Sequence, residues 1–145
     1  MRTGREFLID TSILAQLAPH RQPISNDLAR WLEENAESSF LSVVTVMELQ
    51  RGASTLKFKG ETARASALQN WIDVLTAEYG ARILPVTAAV ATAAGDLYGR
   101  LEARGTEPGF ADALIAATAI SQGLTIVTAN RQHFATLTDN LVDPA

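Results

Sequence analysis

The chain has 145 residues, of which 47% are hydrophobic, so it is long and apolar enough to form one core without disulfide bonds. It contains no cysteine, which excludes disulfide bonds and thiolate metal sites and fits a reducing cytoplasm. The net charge of −4 at pH 7 argues against a broadly basic nucleic-acid-binding surface, although bound cations can reverse the sign of an acidic pocket.

Short apolar runs alternate with segments of helical spacing along the chain. The predicted strands, in chain order, are Phe7–Ile9, Phe40–Val44, Arg82–Val86 and Leu124–Val127. The helical spacing predicts helices over Asn26–Asn35, Glu61–Tyr79, Thr87–Arg104 and Phe110–Gln122. A further helix follows the second strand, and the polar stretch from Gly52 to Gly60 is predicted to join it to the next helix.

This alternation favours a mostly parallel sheet that is covered by helices on both faces. We therefore predict an α/β fold, a three-layer α/β/α sandwich formed by a single domain over residues 1–145. No apolar stretch approaches the ~20 residues of a membrane-spanning helix. The first residues lack the apolar core of a secretory signal, so a cytoplasmic location is expected.

Four polar residues are predicted to meet at one edge of this sheet. Asp10 and Asn130 directly follow predicted strands, and open parallel sheets bind ligands at the carboxyl ends of their strands. Glu48 lies in the first turns of a helix that follows a strand. Asp112 opens a helix that returns the chain to a strand, so both helices start at that edge. The link Gly105–Gly109 must bring the start of the Asp112 helix to this edge of the sheet.

Carboxylates gathered at one edge repel each other, by roughly 4 kcal/mol for two of them about 4 Å apart at an effective dielectric constant of about 20. A cation among them would relieve this repulsion. Oxygen ligands without nearby His or Cys favour Mg²⁺ or Mn²⁺ over Zn²⁺. Such ions can activate water and orient a phosphate, so the pattern indicates phosphodiester hydrolysis.

Each of these residues also has a purely structural interpretation. Asp10 could cap the helix that follows it, and Glu48, three residues after Thr45, has the spacing of a capping box. The helix dipole would stabilise Asp112 in any first turn, and Asn130 could cap the short segment after it. The shared edge, rather than any single residue, favours a site.

Four stretches carry these residues: Phe-Leu-Ile-Asp10-Thr-Ser-Ile-Leu, Leu-Ser-Val-Val-Thr-Val-Met-Glu48-Leu-Gln-Arg-Gly52, Asp112-Ala-Leu-Ile-Ala-Ala-Thr-Ala and Leu-Thr-Ile-Val-Thr128-Ala-Asn130-Arg-Gln-His-Phe134. In this order and spacing they resemble the motifs of PIN domains, and more closely those of VapC-type toxins of type II toxin–antitoxin systems. The resemblance extends from the first strand to the C terminus. No single motif is decisive, but four in order are specific.

The resemblance implies an endoribonuclease in which Asp10, Glu48 and Asp112 bind Mg²⁺ or Mn²⁺ and water cleaves RNA, leaving 5′-phosphate and 3′-hydroxyl ends. Some family members act on transfer RNA. Many relatives have Asp where this chain has Asn130, which adds no charge, so a single ion is favoured over a two-metal site. Thr11 and Thr128 are candidate hydroxyls that orient the acids, and local hydrogen bonding at strand ends explains them equally well.

Binding of RNA needs positive charge outside the acidic pocket. The best candidates for contacts with the RNA backbone are Arg51, Lys57, Lys59 and Arg64, although such a run is also the usual composition of a solvent-exposed face. The resemblance further implies a VapB-like antitoxin that binds beside the active site, and a toxin homodimer. We expect the antitoxin to place an apolar face in a groove near residues 45–75 and to point a basic side chain at the carboxylates.

Three other classes of protein are alternatives to a PIN-domain ribonuclease. A haloacid-dehalogenase-like phosphatase needs a second Asp where this chain has Ser12. A receiver domain needs an early acidic pair and a late Lys, and this chain has no Lys beyond Lys59. A PIN-like nucleic-acid or protein binding module with a degenerate site at Asn130 stays open, and metal-dependent RNA turnover would distinguish it from an enzyme. His20 and His133 are assigned no catalytic role.

Overall fold

The computed structural model describes residues 4–145, and its centre is a five-stranded sheet in the order β3-β2-β1-β4-β5. All four pairs of neighbouring strands are parallel, as predicted. The strands are β1 (Phe7–Ile9), β2 (Ser39–Ser42), β3 (Ile83–Leu84), β4 (Thr125–Val127) and β5 (Leu141–Val142).

Helices connect these strands and begin where the sequence supplies a capping side chain. Ser25 Oγ accepts from Leu28 N (3.1 Å) and Thr87 Oγ1 accepts from Val90 N (3.1 Å), each at the start of a predicted helix. The helices of the described residues are α1 (Thr11–Leu14), α2 (Asn26–Glu34), α3 (Val43–Phe58), α4 (Thr62–Tyr79), α5 (Ala88–Ala103), α6 (Phe110–Gln122) and α7 (Arg131–Phe134). None of them is long and apolar enough to cross a membrane.

Two hydrophobic cores lie on opposite faces of the sheet, because successive side chains of a strand point to opposite faces. Leu8 and Ile126 pack with buried residues of α5 and α6. Ile9 and Val127 pack with buried residues of α1 to α4. The predicted three-layer α/β/α arrangement is therefore confirmed.

Two boundaries around α3 differ from the prediction. The second strand ends at Ser42 rather than at Val44, because Ser42 Oγ accepts from Val44 N (3.0 Å) and starts the helix. The predicted linker from Gly52 to Gly60 is wrong, since α3 continues to Phe58. A Cβ at Gly52 would lie 3.8 Å from Leu68 Cδ2, an ordinary van der Waals contact, so α3 passes through this glycine beside α4 without requiring it.

The third strand is shorter than the predicted Arg82–Val86. Arg82, the first residue of the predicted strand, instead ends a tight turn over Gly80–Arg82. Its Nη1 donates to Ala36 O (2.8 Å) and Ser39 O (2.6 Å), which lie in the segment before and at the start of β2. The strand β5 was not predicted, because a two-residue, half-buried strand leaves no periodic pattern. The other helices agree with the prediction to within a residue at each end.

Candidate active site

Asp10 lies at the carboxyl end of β1, buried with 6% of its surface exposed. Its Oδ2 accepts hydrogen bonds from Ser12 Oγ (2.7 Å) and Thr128 Oγ1 (2.9 Å). A longer contact from Ser12 N (3.4 Å) caps α1, so the structural interpretation of this residue is also correct. Because these bonds all go to Oδ2, Oδ1 remains open to a ligand in the described part of the chain.

The two hydroxyls that bind Asp10 are themselves positioned by backbone amides. Ser12 Oγ accepts from Ala129 N (3.0 Å), and Thr128 Oγ1 accepts from Asn130 N (2.9 Å). A hydroxyl that accepts from an N–H group keeps its own proton free to donate. The turn after β4 therefore aims two O–H groups at one carboxylate oxygen.

Glu48 reaches the same edge from the second turn of α3. Its Oε1 accepts from Thr11 Oγ1 (2.7 Å), and the buried Thr45 Oγ1 lies 3.1 Å from that hydroxyl. Ser42 caps α3, so the capping-box interpretation of Thr45 and Glu48 is wrong. The Glu48 carboxylate is instead held by a residue that directly follows Asp10.

Asp112 lies in the first turn of α6, with its side chain 27% exposed. Burial raises the pKa of its carboxyl group, and the negative charges of Asp10 and Glu48 raise it further, while His133 acts against them. His133 Nδ1 lies 3.8 Å from Asp112 Oδ2. This electrostatic coupling to Asp10 and Glu48 is consistent with the predicted position of Asp112 at the carboxyl edge of the sheet. Gly109, at the helix start, leaves space beside it.

Asn130 lies next to this group, but its contribution differs from the expected one. Its side chain makes no capping hydrogen bond to α7, so the capping interpretation is wrong. Its backbone N–H supports Thr128, and its exposed side chain adds no charge. A ligand role for the amide remains a prediction.

The donor atoms of this edge fit a hard divalent cation. They are carboxylate oxygens of Asp10, Glu48 and Asp112, whose mutual repulsion appears in the raised pKa of Asp112. Mg²⁺ and Mn²⁺ prefer such ligands. Within residues 4–145, no three acidic, His or Cys side chains already form an assembled metal site. The assignment of the three carboxylates as metal ligands therefore stays a prediction.

A cleft of about 220 Å³ opens beside Glu48 between α1, α3 and α4. The lining combines the polar and charged side chains of Thr11, Glu48, His20, Arg21 and Arg64 with otherwise apolar residues. The cleft is lined by Thr11, Ala15, Ala18, Pro19, His20, Arg21, Glu48, Leu49, Gly52, Leu56, Arg64 and Leu68.

The four predicted RNA contacts are not brought together. Arg64 lines the cleft beside Glu48, whereas Lys57 lines a separate cavity between α3 and α4. Arg51 and Lys59 are exposed and line neither. Arg64 also forms an exposed ion pair with Glu61 (2.9 Å).

Several residues of the site were not found from the sequence. The sequence contains a signal for two of them. Ser12 follows Asp10 by two residues, and Thr45 precedes Glu48 by about one helical turn, so both hydroxyls could have been predicted to lie near the acids. Arg21 gave no signal, since it lies in an irregular segment after His20, whose left-handed backbone (φ 67°) turns the chain. His133 was set aside, yet it lies beside Asp112.

Known proteins are similar to this chain over most of its length. A sequence model of the PIN domain matches residues 7–139. Toxin FitB of Neisseria gonorrhoeae is 31% identical over 130 residues, which are 88% of this chain and 90% of that protein. A VapC ribonuclease of Sinorhizobium fredii is 27% identical over 144 residues, which are 95% of this chain and 96% of that protein.

Solved structures have the same fold. A chain in the crystal structure of FitAcB from Neisseria gonorrhoeae matches with a TM-score of 0.80 and 27% identity, covering 95% of this chain and 97% of that chain. Other similar chains come from a DNA-bound VapBC and from a toxin–antitoxin complex, at identities that show the fold alone.

Proposed function

The chain belongs to the PIN domain family, and we propose that it is a metal-dependent endoribonuclease that acts as the toxin of a toxin–antitoxin pair. Its similarity to Toxin FitB and to a VapC ribonuclease over nearly the whole chain supports the reaction and the biological role. The single observation that supports the proposal is the electrostatic coupling of Asp112 to Asp10 and Glu48, whose charges add to the effect of burial and raise the pKa of Asp112.

Mg²⁺ or Mn²⁺ would be held by Asp10 and Asp112, with Glu48 as a further ligand directly or through water. When bound, the cation would supply a positive charge that orients the scissile phosphate and lowers the pKa of the attacking water. The raised pKa of Asp112 supports this role, because a cation would remove the repulsion that raises it.

The protein's own residues would hold the acids in place. Thr128 and Ser12 fix one oxygen of Asp10, which leaves the other oxygen directed away from these donors. Thr11 restrains Glu48 in the same way. Such hydrogen bonds define the orientation of acids that bind a metal. Attack by water on phosphorus would release 5′-phosphate and 3′-hydroxyl ends.

The test is cleavage of total RNA and of transfer RNA by the purified chain with and without Mg²⁺ or Mn²⁺. Asp112→Ala is the inactive comparison, and Asp96→Ala, an exposed acid on α5, is the matched control. We expect metal-dependent cleavage that is lost in the first variant and kept in the second. A cyclic phosphate end would contradict attack by water, because it requires attack by the ribose hydroxyl.

The second candidate is a PIN-like binding module with a degenerate site. The observations that favour it are Asn130 in place of an acid and the lack of an assembled metal site within residues 4–145. RNA binding without turnover in either metal, by a folded chain freed of antitoxin, would support this alternative.

We further propose a VapB-like antitoxin as partner. Relatives in toxin–antitoxin complexes support it. The cleft beside Glu48 supports the expected groove near residues 45–75, because Leu49, Leu56 and Leu68 give it apolar walls and Glu48 could pair with a basic side chain. Glu48→Gln should weaken the complex, as measured by calorimetry, and Glu78→Gln, at an exposed position of α4 outside the cleft, should not.

A homodimer is also proposed, within a cytoplasmic toxin–antitoxin complex. Phe110 is 73% exposed and stacks on Tyr98 with ring centroids 4.6 Å apart. Between α5 and α6 it borders an apolar cavity of about 420 Å³, and exposed apolar patches often mark interfaces. Phe110→Asp should convert the dimer to a monomer in analytical ultracentrifugation, and Phe58→Asp, a second exposed aromatic, should not.

A further inference from the structure

Beside the carboxylates, the structure contains positive charge that belongs to no internal ion-pair network. Arg21 is exposed and makes no hydrogen bond or ion pair with the other described residues. It lines the cleft that holds Thr11 and Glu48, and also a second cavity of about 320 Å³ that reaches Ser12. Arg21 therefore borders both cavities, one lined by Thr11 and Glu48 and the other by Ser12.

Arg64 adds a second guanidinium to the first of these clefts, from α4. Its bond to Glu61 joins two exposed side chains, and such pairs contribute little to stability. The guanidinium can exchange this partner for another anion at small cost. Arg21 comes from the segment after α1 and Arg64 from α4, so two different parts of the chain each contribute a guanidinium group to the lining of this cleft.

We propose that Arg21 and Arg64 bind a phosphate of the RNA backbone next to the one that is cleaved, and that Arg21 is the main positioning residue. The proposal rests on the ribonuclease function proposed above. A polyanion cannot approach three carboxylates in a chain of net charge −4 unless cations lie along its path. Guanidinium groups bind phosphate oxygens with two parallel hydrogen bonds, which fixes orientation as well as charge.

The proposed phosphate-binding residues, Arg21 and Arg64, differ from the RNA contacts predicted from the sequence. Of the four basic residues between 51 and 64, only Arg64 lines the cleft beside Glu48. Arg21 lies 43 positions before Arg64 in the sequence, and the folding of the chain places both residues in the lining of the same cleft. His20 also borders the cleft, but the proposal does not depend on its protonation state.

The experiment measures binding and cleavage of one labelled single-stranded RNA that the wild-type chain cuts. Arg21→Gln and Arg64→Gln are compared with Arg51→Gln, which removes the same charge from an exposed helical position outside the cleft. Binding is measured by fluorescence anisotropy in the inactive Asp112→Ala background at several salt concentrations. Thermal unfolding of each variant checks that the fold is intact.

We expect Arg21→Gln to raise the Kd and the KM about tenfold with kcat nearly unchanged, and Arg64→Gln to raise them about threefold because Glu61 already competes for it. Arg51→Gln should change them less than about twofold. The salt slope of log Kd should fall by about 0.7 for Arg21→Gln, as for one lost phosphate contact on a single strand. Arg21→Lys should recover part of the binding.

Equal effects of Arg21→Gln and Arg51→Gln would overturn the inference, because only net charge would then matter. Unchanged RNA binding together with weaker inhibition by the antitoxin would also overturn it, since Arg21 would then serve the protein interface. If either of these two results is obtained while the wild-type chain cleaves RNA, the inference on Arg21 fails and the proposed ribonuclease function stands. If the wild-type chain cleaves no RNA with either metal, the proposed function and this inference fail together.

Discussion

The carboxylates of Asp10 and Asp112 share one site but have different surroundings. Asp10 is buried and accepts hydrogen bonds from two hydroxyls that backbone amides hold in place. Asp112 is partly exposed, and its closest polar contact is His133 at 3.8 Å, too far for a hydrogen bond. Burial and the charges of Asp10 and Glu48 raise the pKa of Asp112.

The difference separates two tasks within one site. Donors around Asp10 stabilise its negative charge within the folded protein, so its orientation is set before any ligand arrives. Asp112 lacks such donors in the described residues, and burial together with the charges of Asp10 and Glu48 raises its pKa, while His133 acts against them. The fold thus provides one hydrogen-bonded acid and one without such donors, and we expect the second to respond to a bound cation.

The largest effect should come from Asp10→Ala. We expect cleavage to fall by more than about 100-fold, because the fixed acid is lost. The variant should also lose about 2 kcal/mol of stability, since the cap of α1 and two charge-assisted hydrogen bonds disappear. Thermal unfolding and RNA cleavage measure the two effects. An unchanged unfolding temperature would show that the hydroxyls do not stabilise the carboxylate.

Removal of one supporting hydroxyl should have a smaller effect. Thr128→Val keeps the shape of the side chain but removes one of the two hydroxyl donors to Asp10 Oδ2 and leaves Asn130 N without its acceptor. We expect a loss of about 10- to 100-fold in metal-dependent cleavage. Thr128→Ser, which keeps the hydroxyl, is the matched control. Equal activities of the two variants would argue that packing, not hydrogen bonding, orients Asp10.

Neutralising the responsive acid should stabilise the metal-free protein. Because folding raises the pKa of Asp112, its contribution to stability is present below the unfolded pKa and is lost as pH rises through the folded value. At pH 7 the charge therefore opposes folding. Asp112→Asn should raise the Tm, by about 2–4 °C for each kcal/mol of relieved repulsion, and the gain should vanish near pH 4. Asp10→Asn should lower the Tm instead.

Differential scanning calorimetry across pH, in a chelating buffer, measures this effect. Adding Mg²⁺ should stabilise the wild-type chain and leave Asp112→Asn unaffected, because a ligand stabilises only the state that binds it. A lower Tm for Asp112→Asn at every pH would mean that the carboxylate is already satisfied within the fold, which would remove the contrast with Asp10.

The smallest effect is expected for Asn130→Asp. The new carboxylate would lie beside the turn that supports Thr128, at an exposed position, so screening limits its influence. We expect the affinity for Mn²⁺ to rise about two- to fivefold in isothermal titration calorimetry. Gln132→Glu adds the same charge on α7 and should change the affinity less. No difference between the two variants would place Asn130 outside the metal site.

Much of the fold could be predicted from the sequence because it depends on local patterns. The apolar runs at Phe7–Ile9 and Leu124–Val127 and the stripe over Thr62–Tyr79 mark their elements by period alone. One error occurred where a single contact overrides the pattern, because Ser42 ends a strand by capping a helix. The helix α3 also continues through Gly52 to Phe58, where the polar composition predicted a linker.

The candidate acids could also be predicted, since their type and order along the chain indicate a site without reference to distance. Their unequal surroundings could not. Whether a carboxylate has a hydroxyl partner depends on residues that lie far away in sequence, as with Thr128 and Asp10, 118 positions apart. The same is true of Thr11 and Glu48, which are 37 positions apart.

The sequence alone therefore determined most of the strands and helices and the parallel arrangement of the sheet, and it predicted which residues lie at the carboxyl edge, because the periodicity of apolar residues is a local property. Only the tertiary structure decided which acid is held and which is free, and which cations stand beside them. Hydrogen bonds, burial and charge coupling depend on separations in space. Arg21, which directly follows the left-handed turn at His20, lines the Glu48 cleft in the folded chain, and no local sequence pattern predicts that position.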